Sequence, residues 1–436
     1  MRIGFVGPSL LGHLNPMTTL ARALQSRNHD VVFMALPDAE PSVRAANLAF
    51  VPSCEFPAGS LNKMIYQLSK RQGEDALYFT LLCLAAVADA MFDGLPAMLN
   101  AAGVDAVVID SSHFYVELVP MSLGMPYVHV ANSLHFDYSG YTPLCVYDWP
   151  HESTPEALAR NRKGAARFRR MLRQTHAGAR AYAKRVGLKI DWENPYATIS
   201  KLAWLTQTPK ELDFKSSHWP CQFHHTGPFH DGTGRIDIDF PWDQLTGEPL
   251  IYSSMGILQN GLPDVFRAIV AAVAAQKDVQ LVLSVGDHLE PKRIGPLPSN
   301  AILVKSAPQL ELLKRASLCI THAGLNTVLE ALAQGVPQVA IPVSNDQPGV
   351  AARVADKKTG LFLSPKELTA SRLSLLLDEV LSNSTYRDNA RYFQKVIAGR
   401  NGLSAAVDLL EQAFGLTTSG GNADCGLRIA EWGSTA

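Results

Sequence analysis

Residues 306–347 read SAPQLELLKRASLCITHAGLNTVLEALAQGVPQVAIPVSNDQ, and this segment specifies the architecture of the chain. Its apolar run 318–321 is followed by the small-residue turn 322–324. Apolar residues then recur at helical spacing until Gly335 and Pro337 end the pattern. This order predicts a buried strand that leads into a helix, which is the repeating unit of a parallel α/β sheet.

The turn at residues 322–324 is suited to a nucleotide diphosphate. The first amides of the helix have no partner within it and carry the positive end of the helix dipole, so they can hold an anion without a lysine. Asn326 and Thr327 add side-chain donors. Glu330 lies one helical turn further and can accept both hydroxyl groups of a ribose.

A second predicted strand, 336–343, ends in Asn345, Asp346 and Gln347. Because parallel strands end at the same edge of a sheet, these side chains are expected near the 322–324 turn. Carboxylate and amide groups are suited to sugar hydroxyls. The segment therefore predicts a sugar-nucleotide site.

Several motifs of this segment occur in the order found in the donor-binding signature of the family 1 UDP-glycosyltransferases. They are Ala307-Pro308-Gln309, Thr321-His322-Ala323-Gly324-Leu325-Asn326-Thr327, Leu329-Glu330, Gly335-Val336-Pro337 and Asp346-Gln347. The chain resembles this family, and residues 344–353 are most similar to its bacterial zeaxanthin and macrolide glycosyltransferases. The resemblance implies the GT-B fold, an α/β architecture in which two Rossmann-like domains face each other across a cleft. It also implies inverting transfer that needs no metal.

The resemblance assigns donor-binding roles as well. Gln309 would face the base, Glu330 the ribose, and Asp346 and Gln347 the sugar. The family usually has an aromatic residue, often Trp, where this chain has Ser306, so weaker selection of uracil over other bases is expected. The residues implied to bind the donor are Gly256, Gln309, His322, Gly324, Asn326, Thr327, Glu330, Asp346 and Gln347.

The chain begins with a predicted β-α-β unit. A buried strand is expected at 3–6, and a helix is expected to begin at Pro16 with Asn15 as its N-cap. The loop between them has the glycine spacing of a P-loop, but His13 occupies the lysine position, so phosphate binding of that type is not expected. Because ligands gather at the carboxyl ends of parallel strands, His13 is predicted to face the ligand.

In the family that the chain resembles, the general base is a histidine within Gly-His-x-Asn-Pro, which matches residues 12–16 here. Neutral imidazole can take the proton of an attacking hydroxyl group. The predicted strand 105–110 ends in Asp110, at the place of the family's histidine-orienting carboxylate. The resemblance therefore implies that Asp110 holds the tautomer of His13 and stabilises its imidazolium form. The alternative is that His13 caps a loop and Asp110 caps the following helix.

A chain of 436 residues exceeds what one core usually supports, so two domains are expected. The boundary is placed in a turn-rich region without helical period. The predicted parts are an acceptor-binding domain at 1–228, a linker at 229–247, a donor-binding domain at 248–402, a helix crossing back to the first domain at 403–415 and a mobile tail at 416–436.

The candidate acceptor site lies in the first of these domains. His135, Phe136 and Tyr138 open an irregular aromatic segment that could line a pocket, with simple aromatic packing as the alternative. Residues 77–92 are strongly apolar and predict a core helix.

Composition limits the partners and the compartment. With 39 basic and 40 acidic residues, the chain has no net field that would attract nucleic acid. Its six cysteines form no CxxC pair, which suits reduced thiols. No signal peptide is expected before the first strand, and no apolar run is expected to reach the roughly 18 residues of a membrane span, so a cytoplasmic location is expected.

Two patterns superficially suggest a metal site. Residues 237–239 spell DxD, as in metal-dependent glycosyltransferases, but lie in the predicted linker. Cys221, His224, His225 and His230 lack a second paired set of ligands. No metal is expected, and no cofactor besides the UDP-sugar substrate.

Residues 160–185 contain ten basic residues and no acidic one. Charge runs usually face water, which favours a solvated helix. The alternative is peripheral attachment to an anionic membrane, with Phe168, Met171 and Leu172 at the headgroup boundary.

The leading hypothesis is an inverting transferase that moves a sugar from a UDP-sugar to a hydroxyl group of a lipophilic small molecule. Glucose is the expected sugar. One rival is an isomerase, because UDP-N-acetylglucosamine 2-epimerases share this architecture. Release of UDP in the presence of an acceptor separates the two activities. Another rival is a non-catalytic binder of a sugar nucleotide or lipid, which the combination of His13 and Asp110 disfavours.

Overall fold

The computed structural model describes residues 1–216, 218–233, 238–276 and 278–416. Within these ranges the chain forms two parallel sheets flanked by helices. The strands are β1 Arg2–Val6, β2 Asp30–Ala35, β3 Ala49–Pro52, β4 Ala106–Asp110, β5 Tyr127–Ala131, β6 Trp204–Thr206, β7 Phe223–His225, β8 Leu250–Ser254, β9 Gln280–Ser284, β10 Ala301–Val304, β11 Ala316–Thr321, β12 Gln338–Ala340 and β13 Gly360–Phe362. The helices are α1 Leu11–Ser26, α2 Glu40–Ala45, α3 Ser60–Leu68, α4 Gly73–Ala101, α5 Leu118–Ser122, α6 Pro155–Thr175, α7 Ala177–Arg185, α8 Pro263–Ala274, α9 Gln309–Leu313, α10 Leu325–Ala333, α11 Gln347–Asp356, α12 Ala370–Ser382, α13 Ser384–Ala398 and α14 Gly402–Ala413.

The first sheet has seven strands in the order β3-β2-β1-β4-β5-β6-β7, and the second has six in the order β10-β9-β8-β11-β12-β13. Central strands such as β4 are buried along their whole length. Helices cover both faces of a parallel sheet, so a continuous apolar run replaces the alternation of a half-exposed strand.

The pairing register of each sheet brings separate loops to one edge. Val6 lies opposite Ile109, so the loop after β1 and Asp110 emerge side by side. In the second sheet Thr321 lies opposite Ser254, which places the 322–324 turn beside the loop that contains Gly256. Residues from the loops after β1, β4, β8 and β11 line one large cavity between the two sheets.

Helix α1 begins earlier than the sequence predicts. It starts at Leu11, with Leu10 as its N-cap, so the expected start at Pro16 and the N-cap at Asn15 are wrong. Pro16 lies inside the helix, where it cannot donate to the carbonyl of Gly12 four residues back. His13 is therefore a residue of the first helical turn and is held more rigidly than a loop residue would be.

Helix α4 is longer than the predicted core helix at 77–92. It has 29 residues and a mean hydropathy of 1.6 over its most apolar window, so by length and composition it could cross a membrane. This finding corrects the expectation that no segment reaches that length. One such helix is weak evidence, because core helices of soluble proteins pass the same test. Met91, Leu95 and Leu99 pack in the core behind the first sheet.

The basic region folds into two helices, α6 and α7. Phe168 and Leu172 are buried in an aromatic cluster, so their expected position at a headgroup boundary is wrong. Several of the basic side chains pair with acids from elsewhere in the chain. These pairs are Arg167–Glu74 at 2.6 Å, Arg173–Glu193 at 3.2 Å and Arg185–Asp93 at 2.9 Å. The solvated-helix interpretation describes this surface better than membrane insertion.

The cysteines depart from the expectation at one position. Cys54, Cys83, Cys145 and Cys319 are free thiols and are buried or half-buried. Cys221, in an exposed turn before β7, is disulfide-bonded. The expectation that all six are reduced is therefore wrong for Cys221.

Residues 229–247 connect β7 of the first sheet to β8 of the second. Helix α14 follows the second sheet in sequence but packs on the first, where Val407 and Leu410 join the core that contains β1. Asp237 of the DxD pattern lies outside the described residues. The same holds for residues 417–436 of the predicted mobile tail.

Candidate active site

His13 and Asp110 meet at the carboxyl edge of the first sheet. The Nδ1 atom of His13 lies 2.8 Å from Oδ2 of Asp110. A carboxylate can only accept a hydrogen bond, so Nδ1 carries the proton and Nε2 is the free basic nitrogen. Asp110 is completely buried, whereas His13 lines the large cavity. The two side chains therefore have the geometry of a base and its orienting carboxylate.

Two more donors fix the carboxylate of Asp110. The Nδ2 atom of Asn132 donates to Oδ2 at 2.7 Å, and the amide of Ser112 donates to Oδ1 at 2.9 Å. Gln207 in turn donates to Oδ1 of Asn132 at 3.0 Å. Asn132 and Gln207 were not among the predicted site residues. Each comes directly after a strand, β5 or β6, and this position is the one signal that could have pointed to them.

The pKa values of the pair move apart. Burial alone lowers the pKa of His13, but the charge of Asp110 and the hydrogen bond to it outweigh burial and raise that pKa above its ordinary value of 6.5. Burial alone raises the pKa of Asp110, but His13, Asn132 and the Ser112 amide together lower it. Asp110 therefore stays ionised, and His13 becomes a stronger base than a free imidazole.

On the opposite side of the cavity, α10 begins directly after Gly324. No side chain caps this helix, so its first amides are directed toward the cavity edge without a side-chain partner. His322 lies beneath the turn, and burial lowers its pKa to about 4, which keeps the ring neutral. A Cβ atom on Gly324 would lie 2.4 Å from Nε2 of His322, and one on Gly256 2.6 Å from the same atom. Both glycines are required for this close packing.

Glu330 is buried at the place predicted for a ribose. The Nε2 atom of Gln309 donates to Oε2 of Glu330 at 2.6 Å. The hydroxyl of Tyr252 donates to Oε1 of Gln309 at 3.0 Å. Gln309 lines the cavity, and its amide orients Glu330 instead of pointing freely toward a base. Thr327 is close to the same amide, at 3.4 Å.

Asn326 joins the two sides of the cavity. Its Nδ2 atom donates to the carbonyl of Gly12 at 2.6 Å. This carbonyl would normally accept the amide of residue 16, but Pro16 has none. Gln207 donates to Oδ1 of Asn326 at 3.2 Å. The proline inside α1 thus frees a carbonyl that binds the opposite domain one residue from His13.

Asp346 and Gln347 lie where the second sheet faces His13. Oδ2 of Asp346 accepts the amide of Leu134 across the cleft at 2.8 Å. Burial raises the pKa of Asp346, and the Leu134 amide and His13 oppose that rise. The Oε1 atom of Gln347 accepts the amides of Val343 and Ser344, at 2.8 and 3.0 Å, so it shapes the turn.

The cavity between the sheets has a volume of about 470 Å³. The donor-side residues occupy one part of its wall, and the other part is apolar. Phe136 lines this part as predicted. The apolar lining that the sequence analysis missed includes Leu77, Leu81, Leu84, Phe114, Val146 and Phe168.

His135 and Tyr138 do not line the large cavity, and their prediction as residues of an acceptor pocket stays a prediction. His135 is 2 % exposed and lies 3.0 Å from Asp213 through its Nε2 atom. Tyr138 packs in parallel on Phe136, with 6.0 Å between ring centroids. Both residues line a smaller cavity behind Phe136.

A buried ion pair that the sequence analysis also missed joins the two halves of the chain. Arg353 of α11 lies 2.7 Å from Asp213, and both side chains are buried. His135 and the ring of Phe214 complete its surroundings. Breaking such a pair destabilises the fold, because the partner left behind is an uncompensated buried charge.

Among the described residues, no three His, Cys, Asp or Glu side chains are grouped so that they could hold a metal ion.

Comparison with known proteins shows which family model and which relatives the chain is similar to. Residues 243–400 match the family model described as UDP-glucoronosyl and UDP-glucosyl transferase. The chain is 27 % identical to the zeaxanthin glucosyltransferase of Pantoea ananas, over 94 % of this chain and 95 % of that protein. It is also 27 % identical to the demethyllactenocin mycarosyltransferase of Streptomyces fradiae, over 92 % of this chain and 84 % of that one.

Solved structures of glycosyltransferases share the fold. A calicheamicin glycosyltransferase superposes with a TM-score of 0.73 at 22 % identity, covering 96 % of this chain and 99 % of that one. The glycosyltransferase of kitacinnamycin gives a TM-score of 0.72 at 23 % identity, covering 94 % and 98 %. The GT-B fold expected from the sequence is thereby confirmed.

Proposed function

We propose that the chain is a glycosyltransferase that transfers glucose from UDP-glucose to a hydroxyl group of a lipophilic small molecule. Support comes from residues 243–400, which match the UDP-glucoronosyl and UDP-glucosyl transferase model, and from the similarity to zeaxanthin glucosyltransferase. The observation that carries this proposal is the position of His13. Its free Nε2 atom belongs to a side chain that lines the same cavity as the start of α10 and the apolar wall. Base, diphosphate site and acceptor pocket thus share one cavity.

In the proposed reaction the acceptor oxygen attacks the anomeric carbon while the bond from that carbon to the UDP oxygen breaks. Attack from the face opposite to UDP inverts the configuration. Nε2 of His13 takes the hydroxyl proton, and Asp110 stabilises the imidazolium that forms. The amides at the start of α10 stabilise the charge that develops on the leaving diphosphate. The proposal includes no metal or cofactor, because these groups supply the base and the anion stabilisation.

Donor binding is proposed to use the second sheet. Glu330 accepts the ribose hydroxyls and Gln309 orients it, while His322, Gly324 and Gly256 form the floor beneath the phosphates. Asp346 has one carboxylate oxygen engaged by Leu134 and can offer the other to a sugar hydroxyl. Asn326, Thr327 and Gln347 shape this surface through the contacts described above.

The experiment that tests the proposal is direct. The purified chain is incubated with UDP-glucose and a panel of hydrophobic alcohols, and products are followed by mass increase and UDP release. Acceptor-dependent UDP release with a hexose mass added to the acceptor is expected. Epimerised donor without net UDP release would favour the isomerase, and tight UDP binding without turnover would favour the binder.

Ser306 leads to a prediction about the base. It lines the cavity beside Ala307 without offering an aromatic face, so UDP and TDP should bind within about tenfold of each other. Support comes from a related solved structure, the glycosyltransferase VinC, which is described in complex with dTDP. Competition calorimetry measures the ratio. Ser306→Trp is the matched variant, and stacking on the new ring should strengthen the binding of both UDP and TDP by about 1 kcal/mol. A wild-type preference for UDP above about a thousandfold would contradict the prediction, because it needs far more than one stack can supply.

A cytoplasmic location is part of the proposal, and contact with an anionic membrane stays a prediction. It depends on basic side chains that are exposed and have no acidic partner among the described residues, such as Arg162, Lys163 and Arg170. Each would contribute about 1 kcal/mol near an anionic surface. Sedimentation with anionic and neutral vesicles at low salt is the measurement. Equal, negligible binding to both would leave only the solvated helix, whereas salt-sensitive binding lost in the triple Gln variant would support contact.

A further inference from the structure

A second cavity lies behind the acceptor wall of the first. It has a volume of about 50 Å³, enough for a small polar group. Phe114, Ser133 and Phe136 line both cavities, so they form the partition between them. The two phenylalanine rings meet edge to face with 5.3 Å between their centroids. Nothing in the proposed transfer reaction uses this inner cavity.

The inner cavity is lined by a buried carboxylate. Glu117 is 4 % exposed, and its Oε1 atom accepts the hydroxyl of Thr198 at 2.5 Å. Its Oε2 atom lies 3.7 Å from Nε2 of His129, which is beyond hydrogen-bond distance. Nδ1 of His129 accepts the Ser200 amide, so its ring proton is on Nε2. One carboxylate oxygen is therefore available to a donor from the cavity.

Two further residues that line the inner cavity each carry a buried polar atom without a partner. Within the described ranges, neither Oγ of Ser111 nor Nε1 of Trp204 has a hydrogen-bond partner. Native structures leave few buried polar atoms unsatisfied, and each such atom calls for an explanation. Here three incompletely satisfied groups, including Glu117, belong to residues that line the same small space.

We propose that the inner cavity is a subsite for a hydroxyl group at the far end of the acceptor, away from the hydroxyl that receives the sugar. A hydroxyl group fits the lining because it can donate to Glu117 and accept from Ser111 or Trp204. An ether oxygen could only accept, and a methyl group could do neither. The preferred acceptor is thus a long apolar molecule with a hydroxyl group at each end, whose body passes the Phe114–Phe136 partition. This subsite extends the acceptor class of the proposed function and rests on that function.

The experiment uses three matched series of increasing length: alkan-1-ols, α,ω-alkanediols and ω-methoxyalkan-1-ols. At the length that spans both cavities, kcat/KM for the diol should exceed that for the mono-ol by at least about tenfold. Two equivalent hydroxyl groups account for about twofold of any such ratio on statistics alone. The methoxy alcohol should behave like the mono-ol, because it cannot donate to the carboxylate.

Glu117→Gln should bring the ratio of diol to mono-ol down to about the statistical factor of two. Glu156→Gln is the matched control, since it removes an exposed carboxylate from α6 and should keep the wild-type ratio. If Glu117→Gln does not fold, the length series and the methyl ether on the wild-type protein still decide the matter.

A wild-type ratio near two at every length would overturn the subsite while leaving sugar transfer intact. If no alcohol is glycosylated, the proposed function fails. Calorimetric affinities of the same compounds for the wild-type protein then test the subsite alone. Equal affinity of diol and mono-ol at all lengths would refute it.

Discussion

His13→Ala is expected to lower kcat/KM for sugar transfer by about 10²–10⁴-fold, the contribution typical of a positioned general base. Without the imidazole, the attacking hydroxyl has no group to take its proton as the new bond forms. Asp110 cannot substitute, because it is fully buried and its oxygens are engaged by Asn132 and Ser112. Transfer rates at saturating UDP-glucose and varied acceptor provide the measurement.

The affinity for UDP separates this catalytic role from a structural one. His13 lies across the cavity from the proposed diphosphate site at α10, so the variant should still bind UDP with an affinity within about threefold of wild type. His218→Ala is a suitable control, since that ring stacks on Tyr141 and lines neither cavity. If His13→Ala turned over at the wild-type rate, the assignment of the base would be wrong.

The parts of the site that sequence analysis predicted are those encoded locally. Residues 316–333 alternate from strand to turn to helix, so the start of α10 and the position of Glu330 follow from a pattern confined to a few residues. His13 and Asp110 follow from two parallel strands with their ends at one edge. These arguments need only the relative direction of the strands, which is parallel in a β-α-β unit.

The acceptor wall could not be predicted in this way. Leu81 and Phe168 belong to helices whose apolar faces look like core faces, and nothing in the period of a helix tells whether its neighbour is a side chain or an empty cavity. Tyr138 shows a related limit: it packs behind Phe136 and lines the smaller cavity, and the sequence of an aromatic segment does not tell which cavity each ring faces. A residue lines a cavity only if no other side chain packs against it, and tertiary structure decides whether one does.

Contacts between distant segments were beyond reach for the same reason. Asp213 and Arg353 are separated by 140 residues, and neither lies in a motif that indicates its partner. The start of α1 was missed because Pro16 normally marks a first helical turn, whereas here its missing amide is compensated by Asn326 from the other domain. Local rules fail where a long-range contact takes the place of a local hydrogen bond.

Asp110→Asn should reduce kcat/KM by about 10²–10⁴-fold although the side chain keeps its size. Three donors converge on the carboxylate: His13 and Asn132 on Oδ2, and the Ser112 amide on Oδ1. An asparagine has one acceptor oxygen, so its NH₂ group must face at least one of these donors. If the NH₂ group faces His13, the imidazole changes tautomer and carries its proton on Nε2, where it can no longer act as a base.

The pH profile of the same variant tests the electrostatic part of the argument. In the wild type, kcat/KM should rise with pH as His13 loses its proton, with an apparent pKa above 6.5 because Asp110 outweighs the lowering effect of burial. Without the charge of Asp110, burial has the largest effect on the pKa of His13 and lowers it. The acid limb of the kcat/KM profile of Asp110→Asn should therefore shift to lower pH, and its high-pH plateau should fall. The control Asp105→Asn removes an exposed carboxylate just before β4 and should change neither the acid limb nor the plateau. Among the described residues, Asp110 is the one acid in contact with the ring of His13, at 2.8 Å, so its removal must change the pKa of His13. If the acid limb of Asp110→Asn stayed where it is in the wild type, His13 would not be the titrating base.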